Sequence, residues 1–220
     1  MQRFIQQQNL AHYKKQLAVE TDARLIELLQ RLLISTERAL ALLEAGASGT
    51  FSDAQLVREQ YLPRPTPKSV GAFQREFEAS DHPLLLLKPG PGLHIVDIND
   101  AYAAATLAER AKVAGEKLFD MFPDNPDDPA ADGVSRLFNS LKTVAETCQP
   151  HTMAVQRYDV RDARGLFVTK YWQPRNAPIL DDNGRLVFIL HHVEDVTARV
   201  EAALAAPVKG LSLARRDRGA

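Results

Sequence analysis

His94-Ile95-Val96-Asp97-Ile98-Asn99-Asp100-Ala101-Tyr102 runs from an alternating apolar stretch into a segment able to open a helix. The alternation predicts a strand over 94–99, and Asn99 stands where its side chain can cap the amides that follow. Upstream, Leu84 to Leu87 form a continuous apolar run closed by Pro89-Gly90-Pro91-Gly92, so 84–99 reads as a hairpin. Downstream, 99–147 is helical in composition and broken by Phe122-Pro123-Asp124-Asn125-Pro126. Asp128 suits the N-cap and Pro129 the first turn of a longer helix. Three more strands are predicted at about 151–160, 166–176 and 185–195, the last two joined through Asp181-Asp182-Asn183-Gly184, whose Asn-Gly pair favours a tight turn. Two strands, several short helices and three strands define an α+β domain: a five-stranded antiparallel sheet with helices on one face.

In front of this domain the sequence predicts an α-helical hairpin over roughly 3–20 and 22–45, with Thr21 and Asp22 as candidate N-caps. Ile26, Leu29, Leu33, Thr36, Leu40 and Leu43 step by 3 and 4, and Leu25, Leu28, Leu32, Ser35, Ala39 and Leu42 run beside them. So wide a stripe must be covered by another subunit or by the rest of the chain. Dimerisation through Ile26, Leu29, Leu33, Leu40 and Leu43 is the expectation, and packing on the downstream domain the alternative. The boundaries follow: 1–48 a helical hairpin for dimerisation or docking, 49–79 a linker with a lead-in helix, 80–197 the α+β domain, 198–220 a short outgoing helix and a basic, disordered tail. Within the linker, a short amphipathic piece is expected near 52–61, before Pro63, Pro65 and Pro67.

Three local sequences narrow the class: Ile98-Asn99-Asp100-Ala101-Tyr102, Gly115-Glu116-Lys117-Leu118-Phe119-Asp120 and Glu194-Asp195-Val196-Thr197. Together they resemble a PAS domain over about residues 76–200. In that family an Asn-x-Ala-aromatic segment opens the first helix, a Gly-x-x-hydrophobic-Phe segment marks another, and Asp-hydrophobic-Thr links the last strand to an outgoing helix. Tyr171-Trp172-Gln173-Pro174-Arg175-Asn176-Ala177-Pro178 and the run from Ile189 to Thr197 look like a bacterial sensory PAS subgroup. The resemblance implies a PAS fold with Asp195, Thr197 and Asn99 as the places to look for signal coupling. Physically, Thr197 can cap the outgoing helix while Asp195 puts charge near its positive end.

The same resemblance implies a ligand pocket between sheet and helices. Candidates on the last strands are Met153, Val155, Tyr158, Tyr171, Trp172, Phe188, Leu190 and His192; alternation separates the faces without saying which points inward. No cofactor is named. A flavin photosensor would need its cysteine in an Asn-Cys-Arg-like helical motif, and Cys148 sits in Glu146-Thr147-Cys148-Gln149-Pro150 instead. An oxygen-sensing haem member would carry a histidine on the long helix, where none occurs before His151. Both cofactors are therefore disfavoured. His191 and His192, as neighbours on a strand, point to opposite faces and cannot readily share a metal.

Composition sets the outer limits. The 220 residues are 45% hydrophobic and balance 27 Lys/Arg against 28 Asp/Glu, so no global bias toward nucleic acid or an anionic membrane exists. Residues 1–60 likewise match seven basic with seven acidic side chains, which lacks a DNA-binding footprint. One cysteine, no signal segment and no apolar run of about 18 residues point to a cytoplasmic protein without membrane contact. No phosphate loop, nucleophile elbow or zinc-hydrolase helix is present, so no enzyme is expected. The reading is a PAS-type sensor or relay without its own output domain, acting through a homodimer or a signalling partner such as a histidine kinase or regulator. A small-molecule ligand would fit that reading. The alternative is a ligand-free structural adaptor.

Overall fold

The structure is a computed structural model that describes residues 1–50 and 67–206. The amphipathic piece expected near 52–61 and the basic tail lie outside the described residues. Helix α1 (Gln2–Leu17) turns back on α2 (Ala23–Ser48) as the spacing predicts. Asp22 is the cap: its carboxylate accepts the N–H groups of Arg24 at 2.8 Å and Leu25 at 3.4 Å. The hairpin does not stand apart. The C-terminal half of α2 buries Ala41 and Ala45 in the same core as the sheet, and Ala45 O accepts the N–H of Gly92 at 2.6 Å. Of the row expected to dimerise, Leu29 is buried and Ile26, Leu33, Leu40 and Leu43 are half-buried within the chain. The neighbouring row stays open, with Leu25 46%, Leu28 52%, Leu32 37% and Leu42 43% exposed.

After α3 (Pro67–Ala79) come β1 (Leu84–Leu87), β2 (Ile95–Ile98), α4 (Asp100–Thr106), the single turns α5 (Arg110–Val113) and α6 (Leu118–Met121), and the long α7 (Gly133–Thr147). The remaining strands are β3 (His151–Thr152), β4 (Gln156–Arg157), β5 (Val160–Arg161), β6 (Phe167–Val168), β7 (Tyr171–Leu180) and β8 (Leu186–Asp195), followed by α8 (Thr197–Ala205). The main sheet is antiparallel in the order β2-β1-β8-β7-β3, with β4 also on β7, so six strand segments occupy five lanes. The β5–β6 pair forms a separate ribbon.

The strand expected over 151–160 is broken for a reason that lies in its partner. His151 faces Asn176 and Thr152 faces Arg175, but Gln156 faces Trp172, so three residues of one strand oppose two of β7. Pro174 sits in that gap: its carbonyl accepts the N–H of Met153 at 2.9 Å, and proline has no N–H to return. The β7–β8 turn follows the Asp-Asp-Asn-Gly signal, with Gly184 at φ 75° and the Asp181 carboxylate accepting from Asn183 and Arg185.

Helix α7 starts four residues later than expected. Asp128 instead closes a preceding turn through Ala130 N–H, and the α7 terminus is capped across the loop by Asp124, which accepts Val134 N–H at 3.0 Å. Its apolar side, Val134, Leu137, Phe138, Leu141 and Val144, closes over the inner sheet residues Leu85, Leu87, Ile95, Ile98, Ile189 and Val193. That seam between α7 and the sheet positions the site.

Candidate functional site

Between sheet and helices lies a cavity of about 40 Å³, room for a water molecule or two. Apolar groups dominate its wall: Leu118, Phe122, Leu137, Val160, Pro174 and Val193. Polar atoms reach it from Tyr102, Thr106, Gln156, Tyr158, Trp172 and His191. Three of these six are already engaged. Trp172 Nε1–H donates to Tyr158 O at 2.8 Å, Tyr158 Oη–H to Phe122 O, and Thr106 Oγ1–H to Tyr102 O at 2.8 Å. Burial drives the hydroxyls of Tyr102 and Tyr158 far above the usual tyrosine range, so both stay protonated. Burial, with His192 adding to it, pushes His191 down to about 3, so its imidazole is neutral near pH 7.

Gly133, the first residue of α7, makes room for this wall. A Cβ there would lie 2.1 Å from Cδ2 of Tyr158. Asp124 is nearly buried beside it; burial raises its pKa, Val134 N–H offsets part of that, and Oδ2 has no hydrogen-bond partner.

The expected pocket residues divide by strand parity. Tyr158 and Trp172 line the cavity. Met153 is buried in the core nearby, Val155 is 41% exposed on the outside of the bulge, and Tyr171 is half-buried off the cavity wall. Phe188, Leu190 and His192 do not reach the cavity: from 188 to 193 the buried residues of β8 are Ile189, His191 and Val193, which leaves the other set on the outer face. There His192 stands 5.3 Å from the ring of His82, and partial burial with His82 lowers its pKa. Sequence reasoning missed His191, Gln156, Tyr102 and Thr106. A buried polar residue in an apolar strand, as at His191, was the available signal.

The expected coupling residues form two anchors. Asn99 is fully buried; Oδ1 accepts Tyr102 N–H at 2.9 Å and Leu84 N–H at 3.0 Å, and Nδ2 donates toward the carbonyls of Phe77, Ser80 and His82. At the far end the anticipated roles are exchanged. Asp195 Oδ1 accepts Thr197 N–H at 2.9 Å at the start of α8, while Thr197 Oγ1 accepts Tyr171 N–H at 3.0 Å from β7. Lys170 holds the other Asp195 oxygen at 2.6 Å. The last strand and the outgoing helix are thus tied to β7 at one point.

A five-lane antiparallel sheet, helices over one face, a small cavity beneath them and a pinned outgoing helix define a single-sheet α+β domain. The family described as the PAS fold matches residues 77–201, more than half of the sequence, and the chain belongs to that family. Its members are in general sensory rather than catalytic. Among solved structures it is similar to the PAS domain of a Colwellia psychrerythraea protein, at 13% identity over 60% of this chain and 99% of that one, TM-score 0.44. It is also similar to the PAS domain of Bordetella pertussis BvgS, at 18% identity over 62% and 93%, TM-score 0.46. A third similarity is to a Rhodobacter sphaeroides LOV protein, at 12% identity over 59% and 68%, TM-score 0.46. No curated protein matches the chain. Among the described residues no helix is long and apolar enough to cross a membrane.

Proposed function

We propose that this chain is a PAS-type sensor or signal relay in which a change at the helix–sheet cavity is passed along β8 to α8 and on to a second subunit or a signalling partner. The observation that carries this reading is the continuity of β8. One strand contributes His191 and Val193 to the cavity wall and ends at the Asp195–Thr197–Tyr171 junction with α8. Occupancy can shift such an element only through different affinity for its two arrangements. Self-association would use Leu25, Leu28, Leu32 and Leu42, the exposed row, in place of Ile26, Leu29, Leu33, Leu40 and Leu43.

A second reading, a ligand-free adaptor, is favoured by the cavity's size, well below the roughly 300–1,000 Å³ of ordinary small-molecule sites. Native mass spectrometry of the whole chain tests both. Subunits carrying excess bound mass support the sensor. Bare polypeptide mass, retained when candidate solutes are added, supports the adaptor.

A further inference from the structure

Asn176 on β7 faces His151 of β3 on one side and His191 of β8 on the other, so three polar residues form a row across the inner face. They are linked. His191 Nδ1 lies 2.6 Å from Asn176 Oδ1, Asn176 Nδ2 lies 2.7 Å from Ser140 Oγ of α7, and Ser140 Oγ lies 2.7 Å from His151 Nδ1. Asn176, Ser140 and His191 are 0%, 2% and 3% exposed, so each unmade bond would be costly. The amide orientation sets the polarity. Asn176 Nδ2 also points at Met153 Sδ, 3.7 Å away, where a carbonyl oxygen would meet sulfur lone pairs. With Nδ2 on that side, Oδ1 accepts from His191, so Nδ1 of His191 carries the hydrogen and Nε2 holds a bare lone pair.

That lone pair has no protein donor. Nε2 makes no hydrogen bond among the described residues and is not among the fully occluded unpaired atoms, so its accessible surface is on the cavity wall. The Thr106 and Tyr158 hydroxyls and the Trp172 indole N–H are spent on backbone carbonyls, which leaves the Tyr102 hydroxyl and the buried Gln156 amide as the other unengaged polar groups, neither bonded to Nε2. No Lys, Arg, Asp or Glu lines the cavity, so a charged solute would be stranded there.

We propose that the cavity recognises a small uncharged solute that donates a hydrogen bond to His191 Nε2, the imidazole tautomer being fixed by the Asn176–Ser140–His151 chain. This rests on reading the cavity as a ligand site. Ser140 and Asn176 are positioning residues in this scheme; His191 makes the contact.

Methanol and fluoromethane are matched probes of two heavy atoms, small enough for the cavity and differing in one O–H donor. Titration of the full chain, followed by ¹⁵N NMR of the histidine side chains, reads affinity and contact together. Methanol is expected to bind about tenfold more tightly than fluoromethane and to shift the His191 Nε2 resonance, which starts in the unprotonated range. His191→Phe is expected to erase the preference, and Ser140→Ala to weaken it while the protein stays folded. The histidine resonances give the test in the unmodified protein should His191→Phe fail to fold. Equal binding of the two probes, with shifts at cavity residues, overturns the donor rule and leaves the cavity reading standing. Absence of shifts with either probe overturns both.

Discussion

Asn99→Ala should be among the most destabilising single changes in the α+β domain. The side chain accepts two backbone hydrogen bonds, from Leu84 and Tyr102, and its two amide hydrogens are shared among the carbonyls of Phe77, Ser80 and His82 at 3.2, 3.1 and 2.8 Å. Four bonds at about 1 kcal/mol each give a loss of about 4 kcal/mol, because Asn99 is fully buried and the orphaned N–H groups have no ready route to water. An ordinary exposed cap would cost about 1 kcal/mol. Urea unfolding followed by far-UV circular dichroism measures the difference, with an unchanged m-value showing that the unfolded state is the same. A loss below about 1 kcal/mol would refute the reasoning, since it would mean that Asn99 caps α4 and does nothing for α3 and β1. Asn99→Asp adds a check of sign. The introduced carboxylate would face three carbonyl oxygens, so its pKa should rise above the unfolded value of about 3.9. Its destabilisation should then be full at neutral pH and relieved as pH falls through that raised pKa.

Three further outcomes follow from the same geometry. Gly133→Ala should displace the Tyr158 ring, break its bond to Phe122 O and cost about 1–3 kcal/mol, read by urea unfolding and by loss of solute binding in the cavity. Partial burial raises Asp97, but the Arg110 guanidinium, 2.6 Å away, outweighs it and leaves the folded pKa below the usual value. The pair's stabilisation is therefore present above the unfolded pKa near 4 and lost as pH falls through the lower folded value; Arg110→Ala should flatten that acid limb in a pH series of melting temperatures. Asp195→Ala should leave the fold intact, costing less than about 1 kcal/mol because its ion pair is partly solvated, while solute occupancy no longer alters dimer or partner affinity. Unfolding of that variant, or no change in coupling, would sink the relay role of Asp195.

The sequence carried the element order because its signals are local. Asn99, Asp22 and the Asp-Asp-Asn-Gly turn act on backbone groups within a few residues, and each is found at its post. What depended on partners distant in sequence was not legible. The α7 cap is Asp124, eight residues before Asp132, and only the folded loop brings it to Val134 N–H. The break at 153–155 is imposed by Pro174, which lies twenty residues away and belongs to another strand. The candidate pocket failed at Phe188, Leu190 and His192 for a different reason: β8 is apolar on both faces, so alternation marks two sets without ranking them. The hairpin stripe posed the same problem. Two adjoining leucine rows are equivalent on a helical wheel, and the docking of Ala41 and Ala45 on the core decides which one is covered.

Parity on β8 also limits how a signal can travel. His191 is neutral inside, bonded to Asn176, while His192 and Glu194 stand outside within reach of His82 and Arg199. Sliding the strand by one residue would bring His192 and Glu194 inward and expose Ile189 and Val193. Burying the Glu194 carboxylate without a partner costs several kcal/mol and breaking the buried His191–Asn176 bond about 1–3 kcal/mol more, while inward movement of Phe188 and Leu190 only offsets the exposed aliphatic side chains. That sum exceeds the few kcal/mol by which two functional arrangements can differ. Register is therefore fixed, and movement is confined to where the ladder ends. Val196, buried and bonded through its N–H to Tyr171 O at 2.9 Å, is the last residue whose backbone is bonded to the sheet, and α8 begins one residue later with no buried side chain of its own. A rearrangement at His191 can thus reach the outside with least cost as a swing of α8 about Val196, governed by the Asp195 and Thr197 bonds. Cross-linking α8 to β7 should then abolish the response to a solute without changing its affinity for the competent state.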